Sequence, residues 1–342
     1  MNERFTLTFG QEPSSYIKRD ITAKQICDDF FLDYPLSHVY IISGVRGSGK
    51  TVLLTTIAKE ISNKKDWIVV DVNPNREMLS QVAAGLYESA SVKHLFISAN
   101  FSISFKGFGL TIEGREPVSN IKSVVEKMLN VLKKHNKRVL ITIDEISNNS
   151  YTKSFVHDFQ SLLREEYPLF LLMTGLFENV NLLQNNKNLT FLYRAPKVEL
   201  KPLKIELIEK EYQKVFDDVD KSTIKELANL TKGYAFAYQV IGYLFSKYGK
   251  IEKIYDELDS YLSIYVYNKI WEALPRNEKR LLFSFKRENE TTENIINSSS
   301  FSLKEYSVYR DRLIKRGLLS NDGVGKLSFA LPRFLAFIEK QI

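Results

Sequence analysis

GVRGSGKT, residues 44–51, fills the pattern G-x-x-x-x-G-K-[ST] at every fixed position. A phosphate chain is wrapped by backbone N–H groups, and glycine lets the main chain approach it with no Cβ in the way. Gly44, Gly47 and Gly49 supply that freedom, with Val45, Arg46, Ser48 and Val52 completing the cradle. Lys50 is spaced to reach the β- and γ-phosphates, and the Thr51 hydroxyl to ligate Mg²⁺. The helix that follows turns its positive dipole end to the anion.

Such a loop has to leave a buried strand and open a helix. His38-Val39-Tyr40-Ile41-Ile42-Ser43 is a short β-branched run, and residues 52–61 place apolar side chains at helical spacing. Strand and helix signals then alternate. Residues 67–72 read as a strand stopped by Asn73-Pro74, a helix runs to about Ser89, and a second helix spans about Val118 to Lys134. Between them, residues 101–112 alternate strictly about Lys106-Gly107, which predicts an inserted β-hairpin, either a packed element or an exposed arm.

The run Arg138–Ile143 ends in Asp144-Glu145, the second decisive motif. A carboxylate at the C-terminal end of a parallel strand lies on the edge where such sheets bind ligands, so Asp144 is a candidate Mg²⁺ ligand with Thr51. Glu145 is placed to orient or deprotonate an attacking water; the competing reading is an acidic N-cap pair. A helix at about 155–166 leads to a strand at 169–175 containing Thr174. This residue is a candidate contact for the γ-phosphate or the water, or simply a strand-ending threonine. Arg194, in the segment 190–196 that closes this region, could meet the transferring phosphate in its own subunit or a neighbour's, or sit at the surface.

At 342 residues, 44% hydrophobic and 26% charged, the chain is an ordinary globular protein of two or three domains. Its one cysteine, Cys27, excludes an internal disulfide framework, and four scattered histidines show no metal-ligand spacing. The polar N-terminus and the lack of any long apolar run predict a cytoplasmic protein with neither signal peptide nor membrane span. Residues 266–342 hold 14 Lys and Arg against 9 Asp and Glu, so most of the chain's charge of +7 lies there. That permits a polyanionic partner.

Helical segments between Leu203 and about Leu262 suit a lid, with Gly233 at a helix junction; the aromatic residues Tyr234, Phe236, Tyr238, Tyr243 and Phe245 read as its core. The tail reads helix–helix–helix–hairpin. Ser302 caps a third helix that Gly317 stops, and 318–320 and 326–330 flank the turn at 321–325. In a winged helix this third helix enters the major groove of double-stranded DNA. Lys304, Tyr306, Tyr309, Arg310 and Arg312 are the candidate contacts, and docking to protein is the competing use.

The set GVRGSGKT (44–51), VLITIDE (139–145), LLMTG (171–175), LYRAP (192–196), TKGYA (231–235) and the terminal winged helix resembles the archaeal-type, AAA-like ATPases related to the STAND group, and the origin-recognition initiator ATPases. The resemblance implies an α/β P-loop NTPase of the ASCE type. A parallel sheet lies between helices (1–202), followed by a helical lid (203–265) and a winged helix (266–342). It implies ATP and Mg²⁺ as cofactors, Lys50 and Glu145 in catalysis, Thr174 as a sensor, and one strand between the phosphate-loop strand and the Asp144 strand. Residues 13–17 would line the adenine pocket. Initiator ATPases carry an arginine just after the lid glycine; Gly233-Tyr234-Ala235-Phe236-Ala237 has none. GTP is disfavoured because Asn186-Lys187-Asn188-Leu189 lacks the aspartate of a guanine-reading element.

The expected function is an Mg²⁺-dependent ATPase switch coupled to a tail that docks DNA or protein, with self-association also open and no membrane partner. The alternative is a regulatory protein that holds ATP without hydrolysing it.

Overall fold

The β-branched runs of the first half become one parallel sheet. The computed structural model describes residues 4–7, 15–98, 103–106, 109–112, 120–187 and 189–341. These fall into two compact units, one of Arg19–Ser43 and Lys50–Glu199, the other of Met1–Lys18, Gly44–Gly49 and Leu200–Ile342.

In the first unit α1 (Asp20–Phe31) leads into β1 (Val39–Ser43). There follow α2 (Lys50–Ser62), β2 (Trp67–Asp71), α3 (Met78–Glu88), α4 (Lys93–Ser98), β3 (Ile103–Lys106), β4 (Gly109–Ile112), α5 (Ile121–Lys134) and β5 (Arg138–Ile143). The unit closes with α6 (Ser150–Arg164), β6 (Leu169–Gly175), α7 (Phe177–Gln184), α8 (Thr190–Tyr193) and β7 (Lys197–Glu199). The sheet order is β2-β5-β6-β1-β7, with every pair parallel. β6 therefore separates the strand before residues 44–51 from the strand that leads to Asp144, the order the resemblance implies.

β1 and β6 are buried along their whole length, as strands covered on both faces must be. Val82 and Leu86 of α3, Val125 and Leu129 of α5, and Phe155 and Phe159 of α6 share one core with Ile41, Ile141 and Leu171. On α1, Phe30 meets Tyr40 and Phe170 edge-on at 5.3 and 5.1 Å, and Phe170 meets Trp67 at 4.7 Å. β7 is an addition to the expected sheet: with Lys197 and Glu199 exposed, it is a short, charged edge strand that carries no apolar run. Within the expected hairpin, residues 103–106 and 109–112 pair as antiparallel strands, Ile103 opposite Ile112 and Lys106 opposite Gly109. Phe101 and Phe108 lie outside the described residues. The Asn149 side chain caps α6 by accepting the Thr152 N–H at 2.8 Å, so Asp144-Glu145 does not serve as the cap of that helix.

Cys27 is fully buried on α1, and burial, then the neighbouring Glu60, pushes its thiol up to about 12. Alkylation at about pH 8 is expected to leave it intact in the folded protein and to modify it fully in denaturant. Rapid labelling of the native chain would contradict this placement.

The second unit runs α9 (Ile205–Val215), α10 (Lys221–Leu230), α11 (Ala235–Tyr248), α12 (Tyr255–Leu262), α13 (Asn268–Ala273), α14 (Arg276–Phe283), β8 (Asn289–Thr291), α15 (Thr292–Ser299), α16 (Leu303–Lys315), β9 (Leu319–Asn321), β10 (Lys326–Phe329) and α17 (Phe334–Glu339). The tail holds one strand more than expected, β8, which pairs antiparallel with β10 in the order β8-β10-β9. Ser302 and Glu305 form a reciprocal capping box at the start of α16, and Gly317 follows its end at φ 74°.

A single apolar core extends from Leu203 through Tyr238, Leu262 and Tyr267 to Phe329 and Phe334. Polar clamps tie the same segments together. Arg333 holds Asp259 through two bonds of 2.7 Å, Tyr267 Oη donates to Pro332 O at 2.5 Å, and Lys232 Nζ meets Glu288 at 2.6 Å and Phe329 O at 3.0 Å. The helices before residue 265 and the tail after it are thus parts of one packed body. Ile17 is buried in this core, whereas Pro13 and Ser14, from the segment expected at an adenine pocket, lie outside the described residues.

Candidate functional site

Adjacent parallel strands bring their C-terminal ends together, and the register sets Ile143 beside Met173. The residues just beyond, Asp144 and Thr174, are therefore neighbours. Thr51, in the first turn of α2, donates its hydroxyl to Asp144 Oδ2 at 2.8 Å, and the Thr174 hydroxyl donates to Asp144 Oδ1. Thr174 Oγ1 also accepts the Glu145 N–H at 3.0 Å, and Thr174 O accepts the Ile146 N–H at 2.8 Å. Five residues, from α2, β6 and the loop after β5, share one network.

Glu145 adopts φ 53°, the left-handed region that a residue with a Cβ enters at a cost of about 1–3 kcal/mol. The two amide bonds to Thr174 hold that turn and leave Glu145 exposed beyond the sheet edge, while Asp144 is half-buried. Thr174 is fully buried, and its hydroxyl is engaged on both sides by Asp144 and Glu145. Thr174→Val keeps the shape but strands the Glu145 N–H. A loss of about 1–3 kcal/mol in denaturant unfolding is expected, largely restored by Thr174→Ser.

Thr51 and Asp144 together offer a hydroxyl and a carboxylate, the hard oxygen donors that suit Mg²⁺. Among the described residues no cluster of three or more His, Cys, Asp or Glu side chains gathers for a metal. The donor set matches an ion that takes its other ligands from phosphate and water. Asp71, at the end of β2, was not singled out by the sequence reading. It accepts the Thr142 hydroxyl at 2.8 Å, and its carboxyl is shifted up by desolvation at the strand end, opposed by that hydrogen bond and reinforced by the charge of Asp144. The residue as a whole stays exposed, so this shift reflects its carboxyl oxygens against the neighbouring strand.

Lys50 opens α2 with 7% of its surface exposed. Within the loop, Gly47 and Gly49 take φ 77° and 92°, which explains glycine at both positions, and Ser48 N–H closes a turn on Val45 O at 3.2 Å. Tyr234 donates its hydroxyl to Arg46 O at 2.6 Å, and the Phe236 N–H donates to Gly47 O at 3.1 Å. Tyr234 lies in the helical core and Phe236 packs against it, as expected, and both also reach the loop. Arg194 is exposed directly after α8.

The tail candidates separate. Tyr306 is 1% exposed with its hydroxyl 3.1 Å from that of Thr292, so it is a core residue and leaves the set of candidate DNA contacts. Arg310 is paired with Asp311 at 2.8 Å, and Tyr309 accepts a bond from Asn277 at 2.7 Å. Lys304 and Arg312 are exposed, Arg312 lying over the Tyr309 ring.

Residues 24–152 match the KAP family P-loop domain, and residues 265–338 match a domain of unknown function, DUF8462. No curated protein matches the chain. Among solved structures it is similar to the ORC2 protein of Aeropyrum pernix in its ADPNP–ADP complexes, at 14% identity, with 97% of this chain and 96% of that one covered and a TM-score of 0.63. It is also similar to CDC6P from Pyrobaculum aerophilum, at 14% identity, 99% and 97% coverage and a TM-score of 0.51. At these identities the likeness is one of fold.

Proposed function

We propose that the chain, whose residues 24–152 match the KAP family P-loop domain and whose fold is similar to that of the ORC2 and CDC6P structures, binds ATP with Mg²⁺ and hydrolyses the β–γ phosphoanhydride bond. The observation that carries this reading is the single network in which Asp144 takes both the Thr51 and the Thr174 hydroxyls while Glu145 is held beside it. Residues 44–52 would cradle the phosphates, Lys50 would neutralise their charge, and Thr51 and Asp144 would hold Mg²⁺. When bound, the ion offsets negative charge on the phosphate oxygens.

Glu145 accepts the proton of the attacking water, and Thr174 fixes the Asp144 carboxylate and the Glu145 backbone through the bonds described above. Arg194 remains the candidate cation for the transferring phosphate, in the same or a neighbouring subunit. The same motifs support a nucleotide-dependent switch whose output is the tail.

The tail is read as a winged helix, on the order helix–strand–helix–helix–hairpin and its basic excess, and duplex DNA is the proposed partner. Lys304 and Arg312 are the accessible cations on α16. Phosphate release with and without duplex DNA at two salt concentrations tests the whole reading. The expected result is Mg²⁺-dependent release that DNA alters at low salt and less at high salt. Release that ignores DNA at both salts, with no duplex binding lost in the double variant Lys304→Ala/Arg312→Ala, would remove the DNA half.

A further inference from the structure

The turn that starts α11 is built to aim one side chain at the phosphate loop. Thr231 Oγ1 donates to Ala228 O at 2.6 Å and accepts the Gly233 N–H at 3.0 Å, while Tyr234 N–H returns to Thr231 O at 2.8 Å. Gly233 sits at φ 74° against Leu203, where a Cβ would strike the backbone, and Leu203 N–H donates to Gly233 O at 2.8 Å. Tyr234, 4% exposed, then reaches Arg46 O, and the first turn of α11 reaches Gly47 O through the Phe236 N–H. The fit is tight, since a Cβ on Gly47 would collide with the Tyr234 hydroxyl. Val45 of the same loop lies against Gly317, in the turn between α16 and β9.

A trans peptide points its C=O and its N–H in opposite directions. Holding the Arg46 carbonyl toward Tyr234 therefore turns the Gly47 N–H the other way. We propose that Tyr234 is a positioning residue of the nucleotide site, which aims the Gly47 N–H at the bound phosphates and ties occupancy of the loop to the start of α11. This inference rests on the ATP-binding reading above. It assigns to Tyr234, at the position after the lid glycine, a grip on the loop's own backbone in place of a cation on the nucleotide. Burial raises the phenol's pKa well above its ordinary value, so the hydroxyl remains a donor across the physiological range. Through the core that α11 shares with α16 and β10, the same contact reaches the tail.

Tyr234→Phe deletes one oxygen and keeps the ring. Calorimetric titration with Mg·ATP should show binding weakened by about 5- to 10-fold, the size of one lost hydrogen bond. Hydrogen exchange across 235–248 should lose most of its ATP-dependent protection, while the melting temperature without nucleotide falls by no more than a few degrees. Equal affinity and undiminished protection in the variant, with a wild type that binds ATP, would overturn the role of Tyr234 alone. A wild type that fails to bind Mg·ATP would overturn the nucleotide reading and this one with it.

Discussion

Glu145→Gln is expected to bind Mg·ATP within about threefold of wild type and to turn it over at least about 100-fold more slowly, the range lost when a general base is removed. The substitution is isosteric, and it keeps the backbone bonds from residues 145 and 146 to Thr174, so the left-handed turn and the Asp144 network persist. What changes is the charge and basicity of an exposed carboxyl at the strand edge. Equilibrium titration and phosphate release on the same sample separate the two effects. Turnover at the wild-type rate would place the base elsewhere.

Lys50→Ala is expected to act a step earlier, weakening Mg·ATP binding by about 30- to 150-fold, as the loss of a charge-assisted contact worth roughly 2–3 kcal/mol requires. Lys50 is buried at the start of α2, and its removal takes away the cation proposed to neutralise the phosphates there. Lys50→Met retains most of the aliphatic stem and separates lost charge from lost packing. Both variants should fail to show the ATP-dependent rise in melting temperature expected of the wild type. Retention of that rise would show that the nucleotide does not depend on this loop.

The parts of the site that could be read from the sequence are those whose geometry is local. Residues 44–51 carry their own spacing, and Asp144 and Thr174 each end an apolar run, so neighbouring strands suffice to bring them together. The Tyr234 contact with Arg46 spans 188 positions and sits within an aromatic-rich helix, where every tyrosine resembles core. β7 and β8 escaped notice because three residues with alternating charge or polarity carry no strand signal of their own. Tyr306 is a different case. With Leu313 one heptad on, it lies on the buried stripe of α16, and its helical spacing already argued for the core over the groove of DNA.

The central claim is hydrolysis that depends on the metal held by Thr51 and Asp144. A single-turnover measurement of phosphate release from ATP, with Mg²⁺ and with excess chelator, tests it most directly. Release with Mg²⁺ is expected, abolished by chelation and by Asp144→Asn; no release with Mg²⁺, or release that survives chelation, would contradict metal-dependent hydrolysis at this site.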